Sequence, residues 1–303
     1  MKERSVENSK KLVFVINDVH KGRELKEILY DEMKLSSRLV RKAKRNRNIL
    51  VNGNKITFHA KLRVGDVVEV IMEEAPNQFE AENIPIDIAY QDMDLMIVNK
   101  PSGIVVHPTK GHQTGTLANA LVYLMEQTGE EFRIRFVNRL DRDTSGLIIV
   151  AKNPYTQQEL SKQMQDNLVE KHYLTVVKGV MQEDEGTIDA PIGLENPEDI
   201  ERKVYGDGQP SITHYEVVQR LKGATLVRVK LETGRTHQIR VHMKHIGYPL
   251  IGDILYGYVN EELIGRQALH AESLEFNQTR TGQRIKVKSN MPKDMEELIS
   301  KLI

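Results

Sequence analysis

Residues 138–153 read NRLDRDTSGLIIVAKN, in which a charged turn runs directly into an apolar stretch. The apolar part, residues 147–151, has the β-branched character of a buried strand. An apolar and aromatic stretch, residues 132–137, precedes the turn and predicts a second strand. Arginines beside the two aspartates keep both carboxylates ionised, so that either could act as a base or a nucleophile. A solvated turn with local ion pairs explains the same charges, and the segment taken alone favours that explanation.

Runs with the alternation and β-branching of strands recur along the rest of the chain, with fewer helical patterns among them. Strands are predicted for IAYQDMDLMIVNKP, YLTVVKGVM, ITHYEVVQRL, ATLVRVKLET and LHAESLEF, and helices for TLANALVYLMEQ, PYTQQELSKQMQDN and QIRVHMKHIG. Mostly adjacent strands with a few interspersed helices predict an α+β fold. Its centre would be a large mixed or antiparallel β-sheet flanked by a few helices and loops.

The N-terminal quarter differs from the rest in its charge. The chain of 303 residues has 43 basic and 43 acidic side chains, and its formal net charge is zero. Residues 34–64, however, hold ten lysines and arginines and no acidic residue. Within residues 22–47 the apolar spacing predicts two helices, the second capped by Ser36 or Ser37. ILVNGNKI then predicts a hairpin about its Asn-Gly dipeptide, and VGDVVEVIM predicts a further strand.

The acidic, proline-bounded segment EEAPNQFEAENIP, residues 73–85, has the composition of a linker. We therefore predict a small α/β module in residues 1–75, with its core at about residues 12–72. A linker at residues 76–84 would join it to a main domain in residues 85–303.

Composition excludes several classes of protein. The chain has no cysteine, which excludes disulfides, a thiolate nucleophile, thiolate zinc sites and iron–sulfur clusters. No apolar run approaches 18 residues, so we expect no membrane span. The apolar stretch at residues 12–16 is too short for a secretory signal, and we predict a cytoplasmic protein.

A second polar cluster, ETGRTHQIRVH, occupies residues 232–242. Arg235 and Arg240 could each pair with a carboxylate or a phosphate, although a polar strand-to-helix turn explains the same composition. The spacing of His237, His242 and the next histidine does not match a helical zinc pair, and we expect no metal site. Lys171-His172-Tyr173 could contact a base and a phosphate, but an ordinary amphipathic strand is the simpler interpretation.

Seven strings in the same order resemble the RluA-type family of RNA pseudouridine synthases. They are NKPSGIVVHP, GTLANAL, NRLDRDTSGLIIVAKN, KHY, ETGRTHQIRVH, IGYPLIGDILYG and RQALHA. The resemblance runs from about residue 84 to the C-terminus and implies that residues 85–303 are a catalytic domain. The N-terminal part resembles the alpha-L RNA-binding module, of the kind found in a small-subunit ribosomal protein.

The resemblance implies isomerisation of uridine to pseudouridine within RNA, without cofactor or metal. It implies that Asp141 is the essential carboxylate, acting at the sugar as nucleophile or as base, and that Arg240 pairs with it. Tyr173 matches a tyrosine that stacks on the target base and assists proton removal. Arg139 matches a residue that enters the RNA stack where the uridine is flipped out, and Ile239 would line the base pocket.

The resemblance also implies an RNA partner, with ribosomal RNA of the large subunit favoured and transfer RNA an alternative. The sequence leaves the oligomeric state open, and we favour a monomer. In the N-terminal module we expect RNA to be bound by four basic residues: Arg38, Arg41, Lys42 and Arg45. A non-catalytic RNA-binding or ribosome-assembly factor on the same fold is a competing interpretation. A metal-dependent RNA hydrolase using Asp141 and Asp143 is another, and it would be sensitive to chelators.

The sequence departs from the family pattern at two places. Asn138 stands where the family usually has histidine, and asparagine can form hydrogen bonds but cannot titrate. Asn277 and Gln278 stand where His-Pro is common, and we expect only a loop effect.

Overall fold

The computed structural model describes residues 9–109, 111, 113–196, 198–257, 259 and 262–303. In this part of the chain, no helix is long and apolar enough to cross a lipid bilayer. The helices are α1 (Leu25–Glu27, continued by a π-helical turn, Ile28–Glu32), α2 (Ser37–Arg45), α3 (Leu117–Thr128), α4 (Pro154–Gln165), α5 (Gln238–His245) and α6 (Lys293–Leu302), with a 3-10 turn at Asp18–His20. The strands are β1 (Lys11–Val15), β2 (Ile49–Val51), β3 (Val67–Ile71), β4 (Asp87–Gln91), β5 (Leu95–Lys100), β6 (Arg135–Phe136), β7 (Ser145–Ala151), β8 (Glu170–Lys178), β9 (Glu185–Asp189), β10 (Ile192–Gly193), β11 (Lys203–Val204), β12 (Ile212–Leu221), β13 (Ala224–Leu231), β14 (Leu269–Asn277) and β15 (Arg284–Lys288).

The N-terminal elements enclose an apolar cluster of their own. Strands β1, β3 and β2 pair antiparallel in that order, and α1 and α2 bury Ile28 and Val40 against Leu12 and Val68. The predicted pair of helices is confirmed, and the Ser36 hydroxyl caps α2 by accepting a hydrogen bond from the backbone N–H of residue 39, at 3.3 Å. Strand β1 was not predicted, because its apolar stretch is too short to signal a strand by alternation alone.

The predicted hairpin about Asn52 is correct in its turn and wrong in its second strand. Asn52 and Gly53 have φ values of +50° and +74°, which is the left-handed region that an Asn-Gly turn favours. The N–H of Asn54 donates to the carbonyl of Val51 at 2.9 Å, but no strand continues beyond this turn in the described residues. Strand β2 pairs with β3 instead, and the Asn52 carboxamide accepts from the backbone N–H of Val67 at 2.9 Å, which attaches the turn to β3.

The second sheet confirms the predicted α+β class and the large mixed sheet. In the described part of the chain it has ten strands, in the order β4-β5-β7-β14-β8-β13-β12-β9, with β15 on β14 and β6 on β7. The β7–β14 pair is parallel and the other pairs are antiparallel. Gly146 permits the parallel pair, because a Cβ on it would lie 2.3 Å from the carbonyl oxygen of Ala271. The late strand β14 can therefore lie between β7 and β8.

Helices cover both faces of this sheet. On the β5–β7 side, α3 buries Leu121 against Ile148 on one face, and α4 buries Leu160 against Ile149 on the other. On the β8–β13 side, α5 packs on the face that carries Tyr173 and Val177, while α6 packs on the opposite face. Helices α3, α4 and α5 were predicted from the sequence, whereas α6 was not.

The predicted linker, residues 76–84, has no helix or strand but is packed against the large sheet. The Asn77 carboxamide donates to the carbonyl of Phe132 at 2.7 Å and accepts from the N–H of Ile134 at 2.9 Å. Phe79 packs in the apolar cluster beneath α3. The guanidinium of Arg280 also donates to a carbonyl of β1 at 2.9 Å. The N-terminal elements are therefore attached to the large sheet. The predicted ranges of the module, the linker and the main domain stay a prediction.

Candidate active site

The charged turn of residues 138–144 enters strand β7 and is held by its own side chains. The Asn138 carboxamide accepts from the backbone N–H of Ile149 at 2.8 Å and donates to the carbonyl of Leu147 at 3.3 Å. The N–H of Thr144 donates to the carbonyl of Asp141 at 3.2 Å, which closes the turn. Asn138 therefore keeps the hydrogen-bonding capacity expected of it and fixes the turn to β7.

Two buried cations hold the backbone of the turn just beyond Asp141. The ammonium of Lys100, whose side chain is 0% exposed, donates to the carbonyl of Arg142 at 2.8 Å and to two further carbonyls of its own loop. Burial lowers the pKa of Lys100 to about 7. Arg266 donates to the carbonyl of Asp143 at 3.0 Å and forms a bidentate pair with Asp294 of α6. The peptide groups that follow Asp141 are therefore fixed from two sides.

Asp141 meets Arg240, which lies 99 residues away in the sequence. Arg240 Nη1 donates to Asp141 Oδ2 at 3.0 Å, which joins the two side chains in an ion pair. The rest of the guanidinium is committed to Asp253, with Nε at 2.7 Å from Oδ2 and Nη2 at 2.8 Å from Oδ1. Burial opposes the charge on Arg240, but the hydrogen bonds and charge of Asp253 outweigh it and raise the arginine pKa. Asp253 thereby orients the guanidinium that faces Asp141.

His237 precedes α5 in the left-handed backbone conformation, with φ at +59°. The hydroxyl of Tyr256 accepts from the backbone N–H of Arg202 at 2.9 Å and lies 2.8 Å from His237 Nδ1. Because Tyr256 is 1% exposed, its proton needs an acceptor, and His237 Nδ1 is the one in reach. The imidazole then carries its proton on Nε2, which lies 3.8 Å from Asp141 Oδ2. A second donor therefore faces Asp141.

Tyr173 lies on β8, buried against Ile239 of α5. Burial and, secondarily, the nearby Asp141 carboxylate raise the pKa of Tyr173, so its hydroxyl is protonated at neutral pH. A small recess is lined by Tyr173 and Ile239 together with Asp141 and Arg240. Asp141 and Tyr173 also line an adjoining cleft of about 600 Å³, at which the exposed side chain of Arg139 lies. The recess is lined by both apolar and charged side chains.

Comparison with known proteins places the chain in a family. The family model described as RNA pseudouridylate synthase matches residues 94–245. The RNA pseudouridine synthase YlyB of Bacillus subtilis is 44% identical over 259 residues, covering 84% of this chain and 85% of that protein. The chain belongs to the RNA pseudouridylate synthase family. Its fold is similar to that of human RNA pseudouridylate synthase domain containing 1, with a TM-score of 0.58 and 28% identity over 69% of this chain and 85% of that one.

Several other relatives are named for a ribosomal substrate. The ribosomal large subunit pseudouridine synthase D of Pseudomonas aeruginosa is 42% identical over 263 residues, covering 80% of this chain and 82% of that protein. YhcT of Bacillus subtilis, an RNA pseudouridine synthase by name, is 35% identical over 95% of this chain and 96% of its own length. The predicted RluA-type family and the enzyme class are therefore confirmed.

The pseudouridine synthase brings five of the predicted residues to one place and leaves four elsewhere. Asp141, Tyr173, Arg240, Arg139 and Ile239 line the recess or its cleft, and their roles stay predictions. The four basic residues of α2 belong to the N-terminal unit: Arg38, Arg41 and Arg45 are exposed, and Lys42 lies 3.6 Å from Glu74. Among the described residues, no three carboxylates or histidines are grouped closely enough to hold a metal ion.

The sequence analysis missed several residues of the site. Asp253, which is 0% exposed, lies within IGYPLIGDILYG, and a lone aspartate in an apolar string was the available signal. Lys100 lies within NKPSGIVVHP, where proline and glycine drew attention to turns rather than to the lysine. His237 was considered only as a metal ligand. The contacts of these residues with Asp141, Arg240 and Arg142 do not follow from local spacing, because those partners lie on distant elements.

His242 supports a pH-dependent prediction about the stability of α5. Its Nε2 donates to the carbonyl of Ala190 at 2.9 Å, so Nδ1 carries no proton in the neutral ring. Nδ1 therefore accepts from the hydroxyl of Thr213 at 2.8 Å, and that hydroxyl accepts in turn from Gln238. Both ring nitrogens are thus occupied in the neutral form. Burial lowers the pKa of His242 below its ordinary value.

In the unfolded chain His242 takes up a proton near pH 6.5 (about the model-peptide value), before the folded chain does. Protons therefore favour unfolding, and we expect the melting temperature to fall as the pH drops below about 6.5. The free energy of unfolding also falls with the pH, and His242→Gln should reduce that loss by about 1.4 kcal/mol for each unit of pKa difference removed. Denaturation monitored by circular dichroism from neutral to acidic pH measures it. The exposed His245→Gln is the control, and an equal pH dependence in all three proteins would contradict the prediction.

Proposed function

We propose that this pseudouridine synthase modifies ribosomal RNA, with large-subunit RNA favoured, and that Asp141 is its essential carboxylate. The observation that carries the assignment of Asp141 is its pairing with Arg240 at 3.0 Å, beside Tyr173 in a recess of the cleft. The name of the Pseudomonas aeruginosa relative supports the ribosomal substrate. A monomeric, cytoplasmic enzyme completes the proposal.

Isomerisation requires the uracil to leave the sugar, turn, and rejoin through a carbon atom. Asp141 acts at the sugar, as nucleophile or as base, and Arg240 holds its carboxylate in place for that step. Tyr173 and Ile239 supply apolar surface that holds the detached base and excludes water. Arg139 is exposed at the cleft and takes the space that the flipped uridine leaves in the RNA.

The charge on Asp141 also determines when Tyr173 can accept or release a proton. The ionised carboxylate raises the pKa of the tyrosine hydroxyl, so a phenolate and an ionised Asp141 disfavour each other. A covalent bond between the Asp141 carboxylate and the sugar would remove that negative charge and lower the pKa of Tyr173. Under the nucleophile alternative, the Tyr173 hydroxyl therefore loses its proton more readily only while Asp141 is bound to the sugar, after the uracil has been detached.

Helix α2 is the proposed RNA anchor. Its first, second and last arginines, Arg38, Arg41 and Arg45, are exposed within a segment that has ten basic residues and no acidic one. Lys42 contributes less, because Glu74 lies 3.6 Å from its ammonium. Phosphate contacts made by such side chains give binding that weakens steeply with salt.

Replacing Arg38, Arg41 and Arg45 together by glutamine should weaken RNA binding and flatten its salt dependence. The log–log salt slope should fall by about 0.7 for each lost contact with single-stranded RNA, or about 2 in total. Titration of a labelled ribosomal RNA fragment at several salt concentrations measures both quantities. A triple variant with the same charge change at exposed lysines (Lys222, Lys288 and Lys293) is the control. Equal slopes in the two variants would contradict the anchor.

Pseudouridine mapping of total RNA, in cells with and without the protein, tests the substrate. We expect at least one ribosomal uridine to lose its modification without the protein and to regain it on complementation. Loss confined to transfer RNA would refute the ribosomal substrate. No lost site in any RNA would favour the non-catalytic assembly factor instead.

A further inference from the structure

Lys171 is a buried cation without a partner at the wall of the cleft. It lies on β8, two residues before Tyr173, so both side chains project from the same face of the sheet. The residue is 8% exposed. In the described part of the chain, no hydrogen bond or ion pair reaches its ammonium, and burial alone lowers its pKa.

The other buried lysines of the described chain are satisfied, which makes Lys171 the exception. Lys100 donates to three carbonyls, and Lys152 pairs with Glu130 at 2.9 Å. A buried ammonium without a partner is unfavourable, because it has lost its water and gained no acceptor. Such a group is retained where a ligand supplies the missing partner.

The surroundings of the Lys171 ammonium select an anion. Gly234 lies directly against it, since a Cβ on that glycine would be 3.9 Å from Nζ, and a larger side chain there would cover the ammonium. Arg235 and Arg139 line the same cleft, and Arg235 uses only its Nε, towards the carbonyl of residue 210. The described cleft residues therefore present three cations that Asp141 does not neutralise, because Asp141 is paired with Arg240.

We propose that Lys171 binds a phosphodiester of the RNA next to the flipped uridine, with Nζ donating to a non-bridging oxygen. The inference rests on the proposed function, because only an RNA lying in the cleft brings a phosphate to this depth. A base carbonyl would supply a hydrogen bond but no charge, whereas a phosphate supplies both. Lys171 thus positions the nucleotide whose base reaches Tyr173.

The test is Lys171→Met, with a fluorescein-labelled pentauridylate as the probe. Methionine fills a similar volume without the charge, so the melting temperature should stay or rise, because an unpartnered buried cation has been removed. The affinity should fall about 10-fold or more, which corresponds to one charge-assisted hydrogen bond. The log–log salt slope should fall by about 0.7, and Lys171→Gln should repeat the loss if the methionine variant folds poorly.

Two controls make the result specific to phosphate. Lys222→Met removes an exposed lysine on the β12–β13 turn and should change neither affinity nor slope. A pentauridylate with uncharged methylphosphonate linkages should bind the wild type and Lys171→Met equally. Unchanged affinity of Lys171→Met for the charged probe, or an equal loss on the uncharged one, would overturn the phosphate site. If these binding differences are found but the wild type forms no pseudouridine in ribosomal RNA, the proposed function is refuted and the phosphate site is retained.

Discussion

Asp141→Asn is expected to reduce pseudouridine formation by at least about 10³-fold, with little change in RNA affinity or in folding. The substitution keeps the shape and the hydrogen-bond acceptor but removes the charge that acts at the sugar. A loss of about 10³-fold corresponds to about 4 kcal/mol of transition-state stabilisation, a typical contribution of an essential group. Single-turnover assays on a mapped RNA substrate measure the rate, and a binding titration measures the affinity.

The neighbouring Asp143 offers a matched control in the same turn. Asp143 pairs with the exposed guanidinium of Arg142 at 3.0 Å and lies outside the recess, so Asp143→Asn should stay within about tenfold of the wild-type rate. Near-wild-type turnover by Asp141→Asn would refute its role. Equal loss in both variants would contradict a role specific to Asp141, because Asp143 lies outside the recess.

Arg240→Met is expected to abolish activity and also to destabilise the fold, which separates it from Asp141→Asn. The orphaned charge is Asp253 rather than Asp141, because Asp253 is 0% exposed and loses both guanidinium contacts, whereas the Asp141 side chain is 28% exposed. Leaving one partner of a buried pair uncompensated costs about 3–5 kcal/mol. Urea denaturation measures the free energy of unfolding, and the same single-turnover assay measures the rate.

A second substitution separates the two effects of Arg240. Asp253→Asn in the Arg240→Met background removes the orphaned charge while keeping an acceptor for the backbone N–H groups of Leu255 and Tyr256, each 3.0 Å from Oδ1. We expect the double variant to regain much of the lost stability and none of the activity, because Asp141 still lacks its guanidinium. If Arg240→Met unfolds at the same urea concentration as the wild type, the ion pair between Arg240 and Asp253 does not contribute to the free energy of unfolding.

The packed linker changes how the N-terminal unit can be tested. Deletion of residues 1–80 would remove Asn77 and Phe79 from the large sheet and uncover Tyr155, which is buried in the N-terminal apolar cluster. Such a deletion would mix a loss of RNA contacts with a loss of stability. Replacing the exposed arginines of α2 by glutamine removes their charge but leaves these contacts in place, so it is the sharper experiment.

Much of the architecture was determined by the sequence alone. Alternating and β-branched runs predicted the principal strands, and apolar spacing predicted α1 to α5, because these signals are local. The serine pair at residues 36 and 37 predicted the start of α2, and the structure shows that Ser36 is the cap. The string around Asp141 and its order relative to Tyr173 and Arg240 indicated the family, which the comparisons confirmed.

Tertiary structure alone decided which groups meet. Strand β14 lies between β7 and β8 because Gly146 permits close approach at Ala271, and no local period encodes that neighbour. The same long-range packing commits Arg240 to Asp253 as well as to Asp141. It also leaves the Lys171 ammonium, beside Tyr173, without a partner among the residues that the structure describes. Local patterns predict whether a side chain is buried, but the energy of a buried charge depends on which distant acceptor the folded chain brings to it.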